Sequence, residues 1–377
     1  MSVWALLEDR DLKYSQLTTP MKSISTPIRW LALAAVLLLQ YSSFGKDAQW
    51  LHFDGKKGPG KGKHIVFISG DEEYRSEETN PMLAKILSQK HGFDCTVLFS
   101  VDPEKGYIDP NNQQSMPGLE ALKSADLMII GTRFRQLTDD QYQIIADYLN
   151  AGKPVMGYRT ATHAFRGSGK TGDFRWGQFG LKILGETWIS HHGRHKGQGT
   201  RAILQPENAD HPVLKGVGEI FGPTDVYGIR NLDPAQSTIL FRGAVTATLD
   251  EDSPAIMGEK NDPMMPLAWF RTYTAPNGTS KGQAFCTTLG ASVDMLDKDL
   301  RRLFVNTAYF MTGLKVPKSA DVSFVDPFQP TFYGFNNVEG YYEKRNLRVS
   351  DFELGSSAST GLANPKSAPA WRPVLPF

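Results

Sequence analysis

Two cysteines in 377 residues, Cys95 and Cys286, are too few for a disulfide framework or a cysteine-rich zinc or iron–sulfur module. Both lie in apolar, strand-like stretches, "FDCTVLF" and "GQAFCTTLG", which suit small buried thiols. A dominant charge is also lacking: 41 basic against 40 acidic residues leave a formal net charge of +1. No whole-protein field draws the chain to nucleic acid or to an anionic membrane, so any ligand must be recognised locally. No GxGxxG follows the first apolar strand, HExxH and the P-loop pattern are absent, and the one GxSxG match, Gly278–Gly282, precedes an apolar run instead of following one as a strand-to-helix elbow would. Nucleotide-dependent phosphoryl transfer, zincin proteolysis and standard serine-hydrolase chemistry are thereby disfavoured.

Long apolar runs are scarce as well. The strongest lies in "WLALAAVLLLQYSSFG", residues 30–45, and falls short of the ~20 residues that span a bilayer. Lys22 and Arg29 precede it, and small residues around Ser42, Ser43 and Gly45 follow, which is the layout of a secretory signal. The first twenty residues are polar, so Met21 is the expected true start and residues 1–46 are an extension plus signal peptide. The mature protein is then expected to be periplasmic or secreted, with no stable membrane span after cleavage.

What is present is a core. Hydrophobic residues make up 40% of the chain, enough for one large packed domain. A Gly/Lys-rich linker over 47–63 leads to a domain over 64–316, and an irregular tail rich in Pro, Gly, Ser and aromatics occupies 317–377. Within the domain, "HIVFISG" (64–70), "DCTVLFS" (94–100), "DLMIIGT" (126–132) and "KPVMGYR" (153–159) read as buried strands. Between them run a helix over 80–92, with Asn80 as cap and Pro81 at its first position, a short helix at "PGLEALKSA", and a capped amphipathic helix over 138–152. This alternation predicts an α/β fold, a parallel sheet with helices on both faces. Short β runs after residue 183 predict added edge strands; "GQAFCTTLG" (282–290) returns to the core, and an amphipathic helix over 297–314 closes the domain. The tail aromatics Phe324, Phe328, Phe332, Tyr333 and Phe335 are expected to anchor it to the body.

In such sheets ligands sit beyond the carboxyl ends of the strands. Three segments fall there: "SGDEEYRSEE", "GTRFRQLTDD" and "YRTATHAF". The first offers Asp71, Glu73 and Arg75 as substrate-binding groups, although acids before a helix also suit its positive end. The last offers Arg159 and Thr160 for substrate binding and His163 as a general base or ligand. "ISHHGRHKGQGT" holds His191, His192 and His195 within five residues. Imidazoles at that density suggest proton transfer or a divalent metal such as zinc, with His163, His191 and His195 as candidate ligands; against this, Arg194 and Lys196 repel a cation. "FGPTDVYG" sets Asp225 and Tyr227 on one side of an extended piece, suited to orient a histidine or to bind sugar hydroxyls. The expected catalytic set is His163, His192, His195 and Asp225, with Tyr227 in substrate binding.

"HIVFISGDEEY", "GYRTATHAF", "HHGRHKGQG", "HPVLKGV", "PTDVYG", "MPLAWFRTY" and "GQAFCTTLGASVDMLDKDLRRLFVNTAYFMTGL", in that order, resemble the ThuA-like (trehalose utilisation) proteins, particularly an exported planctomycete and verrucomicrobial type. The resemblance implies a class I glutamine amidotransferase-like fold, a flavodoxin-type parallel sheet. It also implies a role in the uptake and oxidation of disaccharides through 3-keto derivatives, with a small-molecule carbohydrate as ligand. Amidotransferases of this fold carry a nucleophilic Cys at the strand-to-helix elbow; here Arg159 stands at that position and no His follows the late strand, so thiol-based glutamine hydrolysis is not expected. In relatives a His after the elbow is associated with metal, and His163 matches it. Two other readings keep the scaffold without catalysis: a carbohydrate-binding protein, or an assembly protein that docks a partner through its tail. The sequence leaves room for a homo-oligomer.

Overall fold

The computed structural model describes residues 48–356. The signal-peptide reading of residues 1–46 and the end of the tail therefore lie outside the described residues. Strands β2 (His64–Gly70), β3 (Asp94–Leu98), β4 (Leu127–Thr132), β5 (Val155–Tyr158) and β12 (Lys281–Thr287) form a parallel core in the order β3-β2-β4-β5-β12. That is the flavodoxin-like order, and the α/β fold follows the expectation from the strand–helix alternation. The central strands are apolar on both faces because helices cover both. Helix α1 (Ser76–His91) and helix α3 (Lys298–Met311) pack on one face through Leu83, Leu87, Leu300 and Phe304. Helix α2 (Asp139–Asn150) packs on the other through Tyr142, Ile145 and Leu149, its start fixed by a capping box between Thr138 and Gln141.

Beyond β12 the sheet turns antiparallel, adding β11 (Met265–Thr274), β10 (Ser237–Val245), β8 (Thr200–Leu204) and β9 (Phe221–Gly222) in that order. These are the edge strands that the short β runs foretold; a separate short hairpin pairs β6 (Lys170–Thr171) with β7 (Phe174–Arg175). The opposite edge differs from expectation. Residues 47–63 were read as linker, but β1 (Trp50–Phe53) pairs antiparallel with β3, burying Leu51 and Phe53 while Trp50 and His52 face out.

Helix α1 also starts earlier than its proline suggests. Arg75 precedes it in the left-handed region, and Pro81 lies inside the helix, where it forgoes the hydrogen bond that a residue there would give to Glu77. Neither Asn80 nor Pro81 marks the start. Among the described residues no helix is long and apolar enough to cross a membrane. Both cysteines are free and buried.

Candidate functional site

The junction between the parallel and antiparallel halves of the sheet gathers loops that are far apart in sequence. Strand β5 ends in Tyr158, whose ring lies so close to β4 that a Cβ on Gly131 would meet it at 2.2 Å. The chain then turns sharply. Arg159 has φ +48°, a conformation that costs a residue with a side chain about 1–3 kcal/mol and persists where the surroundings enforce it. A 3-10 turn over Arg159–His163 follows in place of the expected helix.

The turn directs Arg159 inward. Its guanidinium is fully buried and lies 4.3 Å from the ring centre of Tyr74 and 4.1 Å from that of Tyr227. Nη1 donates to the carbonyl oxygens of Asp225 at 2.9 Å and Thr288 at 2.6 Å, and Nη2 pairs with the Asp225 carboxylate at 3.2 Å. Arg159 was expected to clamp substrate; with no exposed surface it holds Asp225 instead. Thr160 and Asp71 are likewise internal: the Thr160 hydroxyl donates to Asp71 at 2.6 Å, and Asp71 also accepts from the backbone N–H groups of Glu73 and Tyr74. They tie the loop after β2 to the turn after β5. Burial, with Glu72 nearby, raises the Asp71 carboxyl to about 6. Arg75, expected to bind substrate, is buried and donates to the carbonyls of Glu72 and Gly334.

On its outer side Asp225 meets the histidine loop. His191 pairs with Tyr227 in an isolated antiparallel bridge, and the N–H groups of His192 and Gly193 both donate to the Val226 carbonyl. Gly193 lies so close that an added Cβ would meet the Asp225 side chain at 3.2 Å. This zipper places His191 Nδ1 2.7 Å from Oδ2 of Asp225 and His195 Nδ1 3.1 Å from Oδ1. The two rings are 4.2 Å apart and both are partly exposed. The other nitrogen of His195, Nε2, lies 3.3 Å from Glu73 Oε1.

Two carboxylates thus bracket one imidazole. Partial burial pulls the His195 pKa down, but its hydrogen bonds to Asp225 and Glu73 outweigh that and hold it above the ordinary value. For Asp225, burial pushes the carboxyl up, yet the hydrogen bonds from His191 and His195 and the charge of Arg159 prevail and keep it well below the usual carboxylate range.

His192 and His163 stand apart from this group. The His192 ring faces the Lys260 carbonyl at 2.7 Å, directed away by the same zipper that turns its neighbour inward, so its expected catalytic role has no geometric basis. His163 is buried, with its ring centre 4.9 Å from that of Phe134 and 5.3 Å from that of Trp188. Burial, together with Arg133 and Arg159, lowers its pKa to about 3, so it is neutral at physiological pH.

Among the described residues, one group could offer three metal-ligating atoms to a single ion: His191, His195 and Asp225, within 4.8 Å of one another. His163, expected as a ligand, is not part of it. The donor set does not fit an ion as it stands. Both Nδ1 atoms face the carboxylate at hydrogen-bond distance, and a buried guanidinium already holds its inner side. A cation would have to break both bonds and share the carboxylate with a fixed positive charge.

Three contributors escaped the sequence reading. Trp188 packs edge-on to His191 at 4.8 Å and to Tyr227 at 4.7 Å; its only signal was proximity to the histidine loop. Arg133, which pairs with Glu72 at 2.5 Å, lies in a rim segment that had been noted without being assigned. Tyr333 comes from the tail: its ring is stacked on Tyr74 at 5.2 Å and edge-on to His195 at 5.3 Å. The tail is pinned there by Thr331 on Glu78 and by the Gly334 N–H on the Glu73 carbonyl. Phe332 and Tyr333 are buried anchors as expected, whereas Phe335 is 46% exposed and stacks under Arg133.

A family model described as ThuA, trehalose utilisation, matches residues 64–310. The chain belongs to the ThuA family. Among solved structures, a ThuA-like protein from Parabacteroides merdae is 16% identical, with a TM-score of 0.44 over 68% of this chain and 93% of that one. A ThuA-like protein from Bacteroides uniformis is 15% identical, with a TM-score of 0.42 over 71% of this chain and 95% of that one. A search of curated proteins finds no match. The ThuA match ends before the tail, so Tyr333 and its neighbours lie outside the family region.

Proposed function

We propose that this ThuA-family protein is an exported enzyme that moves a proton on a carbohydrate, a trehalose-type disaccharide or its keto derivative. The observation that carries the reading is one buried carboxylate, Asp225, holding two partly exposed imidazoles by their Nδ1 atoms. A carboxylate on Nδ1 fixes ring and tautomer, leaving Nε2 of His191 as the proton-transfer atom. His191 takes a proton from the carbon beside a keto group; the electron pair moves to the keto oxygen as an enediolate, and the charge on His195 beside it stabilises that oxygen. Return of the proton to the same carbon regenerates the substrate or its epimer; return to the former keto carbon, with the neighbouring hydroxyl proton passing to the former keto oxygen, moves the keto group by one carbon. Asp225 orients, Glu73 holds His195 charged, and Arg159 fixes Asp225.

The trehalose-type substrate is supported by the family description. Placement in the class I glutamine amidotransferase-like superfamily is supported by the strand order and by the left-handed Arg159 directly after β5, where the elbow nucleophile would stand. The planctomycete and verrucomicrobial-type assignment rests on the ordered motifs from "HIVFISGDEEY" to "GQAFCTTLG", and export rests on the signal-like sequence of residues 21–45.

The test is deuterium exchange. In D₂O the protein should wash deuterium into the carbons flanking the keto group of 3-ketotrehalose, followed by NMR, and His191→Gln should slow this about 10²–10⁴-fold. Exchange indifferent to His191→Gln would refute the reading. Trehalose binding with no exchange by the unaltered protein would make it a carbohydrate-binding protein on the same scaffold.

A further inference from the structure

Beside the histidine pair lies an open cleft of about 460 Å³ to which no role has been given. Its lining includes Phe134, His163, Phe165, Arg166, Ser168 and Trp188. That volume lies within the ~300–1,000 Å³ typical of small-molecule sites and is far too large for a single ion. No Asp or Glu contributes to the lining, so the cleft is not built for a cation. Nor is it built for a wholly apolar guest, since an imidazole, a guanidinium and a hydroxyl share it with the aromatic rings.

The groups present suit a neutral polyol ring. His163 stays uncharged; its Nδ1 faces the Thr162 hydroxyl at 3.2 Å, which leaves Nε2 to exchange one hydrogen bond with a sugar hydroxyl. Phe134 and Trp188 flank it with apolar faces against which the C–H side of a sugar ring can lie. Trp188 ties the cleft to the reactive group, because the same indole that lines it is edge-on to His191.

We infer that this cleft is a second sugar subsite, so that the substrate carries at least two rings: one held in the cleft, the other presented to His191 and His195. The inference rests on the disaccharide reading above and gives its second ring a place in the fold. Trp188 is then the recognition residue shared by the two positions.

Ser168 is exposed at the cleft rim and outside the proton-transfer group, so Ser168→Trp fills the cleft with little cost to folding. Trehalose and glucose are titrated separately by calorimetry, with thermal melting as a check on folding. Trehalose should bind the unaltered protein more tightly than glucose, and Ser168→Trp should weaken trehalose about tenfold, closing the gap to glucose. Equal affinity for the two sugars, no trehalose binding at all, or a filled cleft that binds trehalose as before would overturn the second subsite. Deuterium exchange into a keto-monosaccharide reports on His191 independently, so the subsite can fail while the proton-transfer reading stands.

Discussion

The two sides of Asp225 differ in almost every physical respect. Inward, it faces a guanidinium with no exposed surface, held by two carbonyls and two aromatic rings. Outward, it faces two imidazoles whose side chains keep 32% and 26% of their exposure. An arginine cannot lose its proton in a protein, whereas an imidazole exchanges one near neutrality. The inner partner therefore supplies a fixed charge, and the outer partners supply the groups that can change. The difference assigns one carboxylate two tasks, holding the fold together on one side and aiming a movable proton on the other.

Removing the carboxylate should produce the largest effect, because it leaves Arg159 charged, buried and unpaired. Asp225→Ala is expected to cost about 3–5 kcal/mol in urea unfolding, while His191→Gln on the partly exposed side should stay within about 0.5 kcal/mol. Equal losses in the two variants would erase the distinction between the sides.

An effect that is absent at neutral pH and grows only in acid comes from His163, which neither side holds. Its folded pKa of about 3 lies below the unfolded value of ~6.5, so the unfolded chain binds the extra proton between those limits. Stability from this group is complete above that window and is lost as pH falls from ~6.5 towards 3, by up to about 1.4 kcal/mol per pH unit. Subtracting the pH profile of His163→Phe from that of the unaltered protein isolates the slope. A flat difference would mean that His163 is not desolvated in the folded state.

The parallel half of the sheet was readable because its signals are local. Continuous apolar strands, the Thr138 cap and the spacing of Leu300, Leu303 and Phe304 each carry their own instruction. The added antiparallel strands were visible only as short β runs, since their order depends on pairing between distant segments. Strand β1 was hidden because four residues at a sheet edge, following a weak pattern and preceding glycines and lysines, give almost no periodicity.

The site was legible in its residue types but not in its orientation. Position at the sheet rim suggested that Arg159 faces a ligand; a positive φ and a partner 66 residues away turned it inward, and neither is written in the local sequence. His192 sits beside His191, yet adjacent residues on an extended piece point to opposite sides, so one reaches Asp225 and the other Lys260. Tyr333 was identified as an anchor, but which ring it would meet could not follow from an irregular tail.

The central claim is that Asp225 holds His191 and His195 through their Nδ1 protons, with His195 kept charged between two carboxylates. Nitrogen-15 NMR of the imidazoles across a pH titration tests it directly. The account predicts protonated Nδ1 on both rings and a His195 that keeps its second proton above pH ~6.5. The stability this proton confers is then full below that pH and lost as pH rises through the raised folded value. A His195 that titrates at or below ~6.5, or rings whose Nδ1 carries no proton in the neutral form, would contradict it.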